Sequence, residues 1–444
     1  MNLKFADTGH MSMGQEKSVK IPREAWYVAF MFFLFMMLHN ADKFLISPLL
    51  GLIQAEFNLS YTQLGAIQTG SVIVAVIFMP VWGYVFDRFA RPPLVALASA
   101  IWGVTTILST FSRNFTELVI TRALTGIDNE SYSGVYSFLS DCFPPEKRAT
   151  AVGFVNTSTA FGTLLGVIIG TIAGTTLGWR NAFIVTAVPG LILAAVILLT
   201  IKDKPRGVTE PELAEVKDKL KETFSLQSVR KLFERKSVIL LFTQGFFGVF
   251  PWQILSYWLM LYMAQIRGFT ADEQLIVMLV ALLAMVGGNI VSGIGGDWAF
   301  KRSLKGRTMF AAVAVAVGLV LFDATVAVRG GLGLFLVLGG LTGFFIPMAG
   351  PNVSASIQDV ALPGVRSSAL SLQVFFENIG SASAPLLTGY LADMFGLEAA
   401  ILIIVTITWA LCAVLLWLTS YLIPKDIAWK RQELTERAKE LSAK

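Results

Sequence analysis

The stretch Gly83-Tyr84-Val85-Phe86-Asp87-Arg88-Phe89-Ala90-Arg91 recurs in outline 210 positions later as Gly293-Ile294-Gly295-Gly296-Asp297-Trp298-Ala299-Phe300-Lys301-Arg302. Each copy follows an apolar run and places a glycine, an aspartate and a basic residue at intervals of four. The residues that begin the preceding run also match, with Leu59-Ser60-Tyr61-Thr62-Gln63-Leu64 in one copy and Phe269-Thr270-Ala271-Asp272-Glu273-Gln274-Leu275 in the other. The chain is therefore predicted to contain two repeated halves.

The composition predicts a membrane protein. The 444 residues are 55% hydrophobic and only 15% charged, with a mean hydropathy of +0.66. Soluble domains carry about 25% charged residues, so the composition argues against a water-soluble protein. The hydrophobic share, 55% of 444, is about 244 residues, and twelve membrane helices of about 20 residues need about 240. The expected fold class is all-α, with twelve transmembrane helices.

Apolar runs bounded by charge, glycine or proline supply twelve segments, each long enough to cross a hydrocarbon core of about 30 Å. They are expected to form two six-helix bundles, residues 25–201 and 237–423, joined by a polar linker, 202–236. Within the linker, Thr209-Glu210-Pro211-Glu212 has the pattern of a capping box and predicts an amphipathic helix. The flanking segments are 1–24 and 424–444. The twelve runs lie at about 25–50, 61–86, 92–111, 115–141, 148–176, 179–201, 237–265, 271–296, 307–328, 331–358, 365–394 and 397–423.

Positive residues predict the orientation in the bilayer. With the N-terminus inside, 29 of the 35 lysines and arginines fall in inner segments and four fall in outer loops. Inner loops of membrane proteins are enriched in positive charge, so both termini are expected in the cytoplasm of a multi-pass protein of the cell (inner) membrane. The net charge of +5 then reflects topology rather than nucleic-acid binding. The two remaining basic residues, Lys43 and Arg122, lie within apolar segments.

Several function classes are disfavoured by what the sequence contains. Two cysteines, Cys142 and Cys412, and two histidines, His10 and His39, are too few for a disulfide scaffold or a Cys/His-rich metal site. The sequence has no Gly-x-x-x-x-Gly-Lys-Ser/Thr loop for ATP and no nucleophile–histidine pattern. We therefore expect neither an enzyme nor a bound cofactor, with a proton gradient as the energy source and a monomer as the working unit.

The repeated Gly–Asp–basic segments are predicted to form a conformational gate. A glycine lets a neighbouring helix approach closely, and an aspartate can pair with a basic group or cap a neighbouring helix. The alternative is that these are simply short basic loops. The predicted gate residues are Gly83, Asp87, Arg88, Arg91, Gly293, Asp297 and Lys301.

These repeated segments, within a six-plus-six arrangement of apolar runs, resemble the signature loop of the major facilitator superfamily. The resemblance covers essentially residues 25–423. It implies two six-helix bundles around a central cavity that opens alternately to each side of the membrane. Repetition of helical halves is also typical of secondary transporters, which place their binding site between the repeats.

Ionisable residues at membrane depth mark candidate functional positions, because burying them is costly. Asp42 lies about 25 Å along the first segment from its inner end, and Arg122 lies roughly 10 Å from the outer end of the fourth. The two are therefore predicted to reach the same depth and to pair. The alternative is that Asp42 and Lys43 mark a helix end at a wide vestibule.

The fourth segment adds two further proton-coupling candidates. Projected as a continuous helix at about 100° per residue, Glu130 lies about 80° from Arg122 and Asp128 lies on the far side. A carboxylate at a low-dielectric site holds a proton more readily near neutral pH. We therefore predict Asp42, Glu130 and Asp128 as proton-coupling residues, whereas Glu130 could alternatively be a structural partner of a basic neighbour. The face of the helix that carries the arginine collects Arg122, Gly126, Asn129 and Ser133.

A closer resemblance lies in two stretches. Asn40-Ala41-Asp42-Lys43-Phe44 resembles the Asn-Tyr-x-Asp-Arg-aromatic segment of Spinster-type transporters, and residues 122–133 resemble their Arg-x-x-x-Gly-x-Gly-Glu-Ala-Ser-Tyr-Ser. The resemblance implies proton-coupled transport of a lysophospholipid or sphingoid lipid, with functional roles for Asp42, Lys43 and Arg122. Two departures stand out: Lys43 replaces the usual arginine and lacks its bidentate fork, and Asn129 occupies the position of the family glutamate.

The predicted substrate is an amphipathic organic molecule, most simply a lysophospholipid. A rival prediction is a proton-coupled carrier of smaller organic anions or drugs. Glycines at every fourth position, from Gly162 to Gly178, predict a packing face on the fifth segment. The predicted substrate-binding residues are His39, Asn40, Lys43, Arg122, Asn129, Tyr132, Gln253, Glu377 and Asn378.

Overall fold

The structure is a computed structural model that describes residues 22–129, 131–143, 145–204, 232–362 and 366–442. The described residues form helices and short connections, with no β-strand among them. The linker helix predicted from residue 209 lies outside the described residues, as does Glu130. The α-helices are α1 Arg23–Phe57, α2 Tyr61–Arg88, α3 Arg91–Thr110, α4 Phe115–Leu124, α5 Tyr132–Cys142, α6 Pro145–Leu177, α7 Trp179–Thr200, α8 Lys236–Gly248, α9 Phe250–Gln265, α10 Ala271–Arg302, α11 Gly306–Ala327, α12 Leu332–Phe345, α13 Ala349–Val360, α14 Arg366–Phe395 and α15 Leu397–Ser442.

These helices make the twelve passes that the hydropathy predicts. Ten helical stretches of the described chain are long and apolar enough to cross a membrane. The other two passes are Phe115–Cys142, which is interrupted, and Arg366–Phe395, which carries Glu377 and Asn378 at mid-length. Polar groups and breaks at membrane depth lower the apolar signal of these two passes, and such features concentrate where helices line a cavity.

Two passes at corresponding positions of the halves are broken by short 3-10 helices. Thr125–Ile127 separates α4 from α5, and Ile346–Met348 separates α12 from α13. A third break at Val249 divides the predicted run 237–265 into α8 and α9. Paired interruptions of this kind in repeated halves are a sign of the binding region of a secondary transporter.

The glycine-rich face of α6 packs directly on α1, as the spacing predicts. A Cβ added at Gly162, Gly166 or Gly170 would overlap the backbone carbonyl of Met37, Ala41 or Leu45. The contact is therefore backbone to backbone and fixes α1 within its own half. The last member of the series differs: Gly178 has φ +83 and forms the turn between α6 and α7.

The final helix is longer than the predicted twelfth span. The tail expected from residue 424 continues α15 without interruption to Ser442. Lys430 anchors this extension, because its Nζ donates to the carbonyl oxygens of Gln358 at 2.8 Å and Asp359 at 3.0 Å. A cation at the C-terminal carbonyls of α13 also complements the helix dipole.

The halves are joined on one side of the molecule only. We call inner the side that holds Arg23 and Lys204, following the orientation predicted from the positive charges, and outer the opposite side. Within the described residues, every hydrogen bond between the halves lies in the outer half of the molecule. By this convention, the described residues hold the halves together on the outer side.

We expect the α1–α6 contact to limit stability. Gly166→Val would push a side chain into the Ala41 carbonyl and should lower the free energy of unfolding by about 1–3 kcal/mol through overpacking. Thermal unfolding of the detergent-solubilised protein, followed by intrinsic fluorescence, measures the loss. Gly153→Val on the same helix is the matched control, because a Cβ at Gly153 contacts nothing within 4 Å. Equal midpoints for the two variants would contradict the packing argument.

Candidate functional site

A buried histidine forms the deepest part of the polar cluster. His39, on α1, places its Nδ1 2.9 Å from Oδ2 of Asp128 and its Nε2 2.9 Å from Oδ1 of Asn129. His39 is 2% exposed and Asp128 is 0% exposed. The ring of Tyr132 lies edge-on to His39, with 5.2 Å between ring centroids, and Trp102 lies on another side at 5.9 Å. Three predicted binding residues and one predicted proton-coupling residue therefore meet here.

The break between α4 and α5 explains how Asp128 reaches this cluster. The prediction that Asp128 lies on the far side from Arg122 is wrong, because it assumed a continuous helix. The chain instead leaves α-helical geometry over Thr125–Ile127 and turns at Asp128 and Asn129. This turn points the Asp128 carboxylate back toward α1.

A second buried pair lies next to the first. Nη1 of Arg122 lies 3.3 Å from Oδ2 of Asp42, and Thr186 on α7 donates to Oδ1 of Asp42 at 3.4 Å. The guanidinium also stacks over the ring of Phe183, 5.0 Å from its centroid. The depth argument from sequence correctly predicts this pair. Both side chains are buried, so each charge is compensated chiefly by the other.

Lys43 is the cation that this cluster leaves unpaired. Its side chain is exposed to the interior space, and no carboxylate of the described residues lies within ion-pair distance of it. It borders a small space that we call the polar chamber. The chamber is lined by His39, Asp42, Lys43, Gln68, Ser71, Trp102, Arg122, Thr125 and Asn129.

The polar chamber adjoins a larger space between the halves, the central cavity, of about 350 Å³. Lys43 and Gln68 line both spaces. Asn156 on α6 and Asn289 on α10 face the central cavity from opposite halves and are exposed. Asn40 also lines the central cavity, and its side-chain amide donates to the Met36 carbonyl at 2.8 Å.

An apolar pocket extends from the central cavity into the second half. Trp252, Ser256, Leu282 and Met285 line both spaces, with Phe44 and Thr163 from the first half. The remaining lining comes from α9–α12, the 3-10 turn that follows α12, and α15, and it is almost entirely hydrocarbon. Its other members are Ile254, Leu255, Leu259, Tyr262, Val277, Met278, Ala281, Phe322, Thr325, Val326, Phe335, Gly339, Thr342, Gly343, Ile346 and Ile401.

The predicted residues of the second half are divided between two surroundings. Gln253 is buried and lines the central cavity. Glu377 lines a neighbouring inner cavity, where its carboxylate accepts from Gln373 Nε2 at 2.8 Å. Trp252, Met285 and Asn289 connect this inner cavity to the central one. Asn378 is half-buried and is not among the residues that line these cavities.

The predicted gate residues lie at the inner ends of α2 and α10. In the second half, Arg307 donates to Asp297 at 2.6 Å and also pairs with Asp359. Lys301 is exposed nearby. Among the described residues, a Cβ at Gly293 would meet nothing within 4 Å, so the predicted close approach of a neighbouring helix is absent here.

The first half repeats this arrangement. Arg91 is buried, pairs with Asp141 and donates to the Lys204 carbonyl at 2.8 Å. Arg88 is exposed and stacks over Tyr84. Gly83, like its counterpart, has open space around its Cβ position, and the side chain of Asp87 lies outside the described residues.

Sequence reasoning missed the acidic partners of these arginines. Asp141 follows Arg91 by 50 positions, and Asp359 follows Arg307 by 52. Each aspartate lies at the inner end of an interrupted pass. Comparison of these two spacings would have extended the internal repeat and found both pairs.

The outer closure was also missed by sequence reasoning. Asp393, near the end of α14, accepts from the backbone amides of Tyr61 and Thr62 at 2.8 and 2.9 Å and from the Thr62 hydroxyl at 2.5 Å. It therefore caps the N-terminus of α2 across the interface, where a carboxylate complements the helix dipole. Gly65 and Gly389 allow the two helices to cross closely, since a Cβ at either would overlap backbone of the other helix.

Two repeated helical halves, paired interruptions and a polar cavity closed on one side define a secondary transporter with an alternating-access fold. The family model of the Major Facilitator Superfamily matches residues 28–333. The chain belongs to this superfamily, and it is a multi-pass membrane transporter rather than an enzyme.

The relatives include a hexuronate transporter and Spinster proteins. The hexuronate transporter of Bacillus subtilis is 26% identical over 375 residues, which cover 82% of this chain and 87% of that protein. Protein spinster of Drosophila melanogaster is 28% identical over 228 residues, 51% of this chain and 36% of that protein. A bacterial homolog of the human lysosomal transporter Spinster, solved in an inward-facing and unoccupied conformation, has a TM-score of 0.83 at 17% identity, with coverage of 90% of this chain and 98% of that one.

We expect Asp393 to favour the outer-closed state. Asp393→Asn removes the carboxylate charge at the α2 N-terminus and should shift the population toward outer opening by about fivefold, about 1 kcal/mol for an exposed charged contact. Spin labels at Thr176 and Asp272, on opposite halves of the outer side, report this by electron–electron distance measurement. Glu398→Gln is the matched control, because Glu398 pairs with Arg329 within one half. Identical distance distributions for Asp393→Asn and wild type would contradict the assignment.

Proposed function

We propose that this transporter moves a single-chain amphipathic lipid, such as a lysophospholipid, across the cell membrane in a proton-coupled alternating-access cycle. The observation that carries the proposal is that the polar chamber and the apolar pocket are both connected to the central cavity. A cationic polar chamber and a hydrocarbon-lined pocket open into the same central cavity, from opposite halves. A molecule with an anionic head and one acyl chain matches both.

The head group is assigned to the polar chamber. Lys43 carries an unpaired positive charge where the polar chamber adjoins the central cavity. Arg122 also lines the chamber, but its charge is paired with Asp42. A phosphate group has several acceptor oxygens, and charge-assisted hydrogen bonds to it are stronger than neutral ones. Lys43 is therefore the first contact, with Asn40, Asn129 and Tyr132 as further polar contacts around the chamber.

The acyl chain is assigned to the apolar pocket. Burial of each methylene contributes about 0.8 kcal/mol, so a pocket lined by Leu, Met, Val and Phe side chains favours a long chain over a short one. Gln253 and Glu377 are proposed to contact the polar part of the substrate from the second half. Asn378 is proposed as a neighbouring position on the same helix.

Proton coupling is proposed to use the carboxylates of the first half. Asp42 and Asp128 are buried among basic partners, and Glu130 adjoins this region in sequence. Alternation is proposed to use the inner segments that contain Gly83, Asp87 and their repeat, whose open glycine surfaces are available to contact neighbouring helices when the inner side closes.

A second candidate function is transport of a small organic anion. The hexuronate transporter of Bacillus subtilis matches most of this chain, and Lys43 could bind a carboxylate as well as a phosphate. A small polar anion would, however, leave the apolar pocket unused. The lipid is preferred on this ground.

Transport by purified protein in proteoliposomes distinguishes the two. Lysophosphatidate, lysophosphatidylcholine and galacturonate would be supplied with and without an inward proton gradient. The proposal expects uptake of a lysolipid that is stimulated by the gradient. Uptake of galacturonate alone would overturn the lipid assignment in favour of the second candidate, and no response of lysolipid uptake to the gradient would overturn the coupling.

We expect the charge of Lys43 to contribute to head-group affinity. Lys43→Gln should raise the KM for lysophosphatidate by about tenfold, equivalent to about 1.4 kcal/mol. Lys43→Arg keeps the charge and serves as the control, with a KM within about threefold of wild type. A KM that is unchanged in Lys43→Gln would place the head group elsewhere.

We expect the apolar pocket to select chain length. Ala281→Phe fills part of the pocket and should reduce uptake of a 16-carbon lysolipid about tenfold more than that of an 8-carbon one. Val313→Phe is the control, because Val313 on α11 is 57% exposed and does not line the apolar pocket. Equal losses for both chain lengths would show that the chain does not enter this pocket.

A further inference from the structure

We infer that His39 carries the coupling proton as an imidazolium paired with Asp128, and that this proton binds together with the anionic group of the substrate. The inference rests on the proposed function for its substrate and specifies which group of the site is protonated. It assigns the proton to a histidine, whereas the sequence analysis assigned it to carboxylates.

The geometry around the ring supports a doubly protonated histidine. Nδ1 faces a carboxylate oxygen of Asp128 at 2.9 Å, and Nε2 faces the side-chain oxygen of Asn129 at 2.9 Å. Nδ1 therefore lies in ion-pair contact with a carboxylate and Nε2 at hydrogen-bond distance from an amide oxygen, and only the imidazolium carries a proton on each nitrogen. A neutral ring could keep the Asp128 contact only if the Asn129 amide turned to present its nitrogen.

The burial of Asp128 also favours a protonated His39 ring. Among the described residues, the ring of His39 is the basic group within ion-pair distance of the Asp128 carboxylate, so the imidazole is its compensating group. A buried carboxylate without a cation is strongly unfavourable. Asp42 does not share this need, because Arg122 and Thr186 already contact its two oxygens.

The surrounding charges couple the proton to the substrate. The groups near His39 are Asp42 and Lys43 on its own helix, Arg122 on α4, and Asp128, Asn129 and Tyr132 at the break and on α5. With the ring protonated, the described cluster holds three cations and two anions. A bound monoanion neutralises the excess, so each ligand favours binding of the other. Uptake of one anion with one proton would then carry no net charge.

The first test measures the protonation state of the His39 ring directly. The chain has only two histidines, so His10→Gln leaves a single imidazole, which nitrogen-15 NMR of histidine-labelled protein observes without overlap. We expect both ring nitrogens protonated at neutral pH, and protonation that persists to higher pH when lysophosphatidate is added. Asp128→Asn in the same background should give a neutral ring. A ring that is neutral from pH 6 to 8, with and without lysophosphatidate, would overturn the inference.

The second test measures protons taken up on binding. Titration calorimetry uses lysophosphatidylglycerol, whose phosphodiester keeps a single negative charge, in buffers of different ionisation enthalpy. Uptake should approach about one proton per ligand as the pH rises above the range where the free ring is protonated. His39→Gln should take up almost none, while Glu56→Gln, remote from the site, keeps it. Wild-type uptake in His39→Gln would overturn the inference, as would its loss in Glu130→Gln alone.

The two proposals fail in different ways. If wild-type protein neither binds nor transports any lysolipid, the proposed function is wrong, while the NMR titration still reports whether His39 is protonated. If lysolipid is transported but the proton uptake is independent of His39, the proposed function stands and this assignment is wrong.

Discussion

Neutralisation of buried charge is the constraint on which this structure depends. In the hydrocarbon region water cannot solvate an ion, so each charge needs an opposite one or an aqueous space. The first half satisfies this with two pairs between α1 and the broken pass, Asp42–Arg122 and His39–Asp128. Lys43 has no such partner, and its charge is tolerated because its side chain faces a cavity. The unpaired cation therefore depends on the cavity for its solvation.

The same constraint accounts for the break in the fourth pass. A straight helix would direct Asp128 away from Arg122 and toward other helices or lipid, without a partner. The 3-10 turn at Thr125–Ile127 frees backbone groups, which is tolerable in a membrane only where neighbours or a cavity satisfy them. Packing of α6 against α1 through its glycines keeps His39 in place to meet the redirected carboxylate.

Sequence reasoning recovered what depends on one helix at a time. The twelve passes, the repeat and the shared depth of Asp42 and Arg122 follow from length, rise per residue and charge. Sequence reasoning did not predict contacts between helices or the breaks within them. Asp128 was misplaced because the projection assumed an unbroken helix, and Asp393 was missed because its partner, the N-terminus of α2, belongs to the other half. Neither fact has a local signal in the sequence.

The departure from the Spinster-type pattern at position 129 is explained by the break in the fourth pass. An asparagine at position 129 removes a carboxylate from the helix face that the pattern uses, and Asp128 supplies one a single residue earlier. On a regular helix, this shift by one residue would turn the carboxylate away from that face by about 100°. At the observed break the carboxylate instead meets His39, and Asn129 contacts the other ring nitrogen. With asparagine at 129, the site thus keeps a carboxylate, that of Asp128, which lies next to a titratable ring on α1.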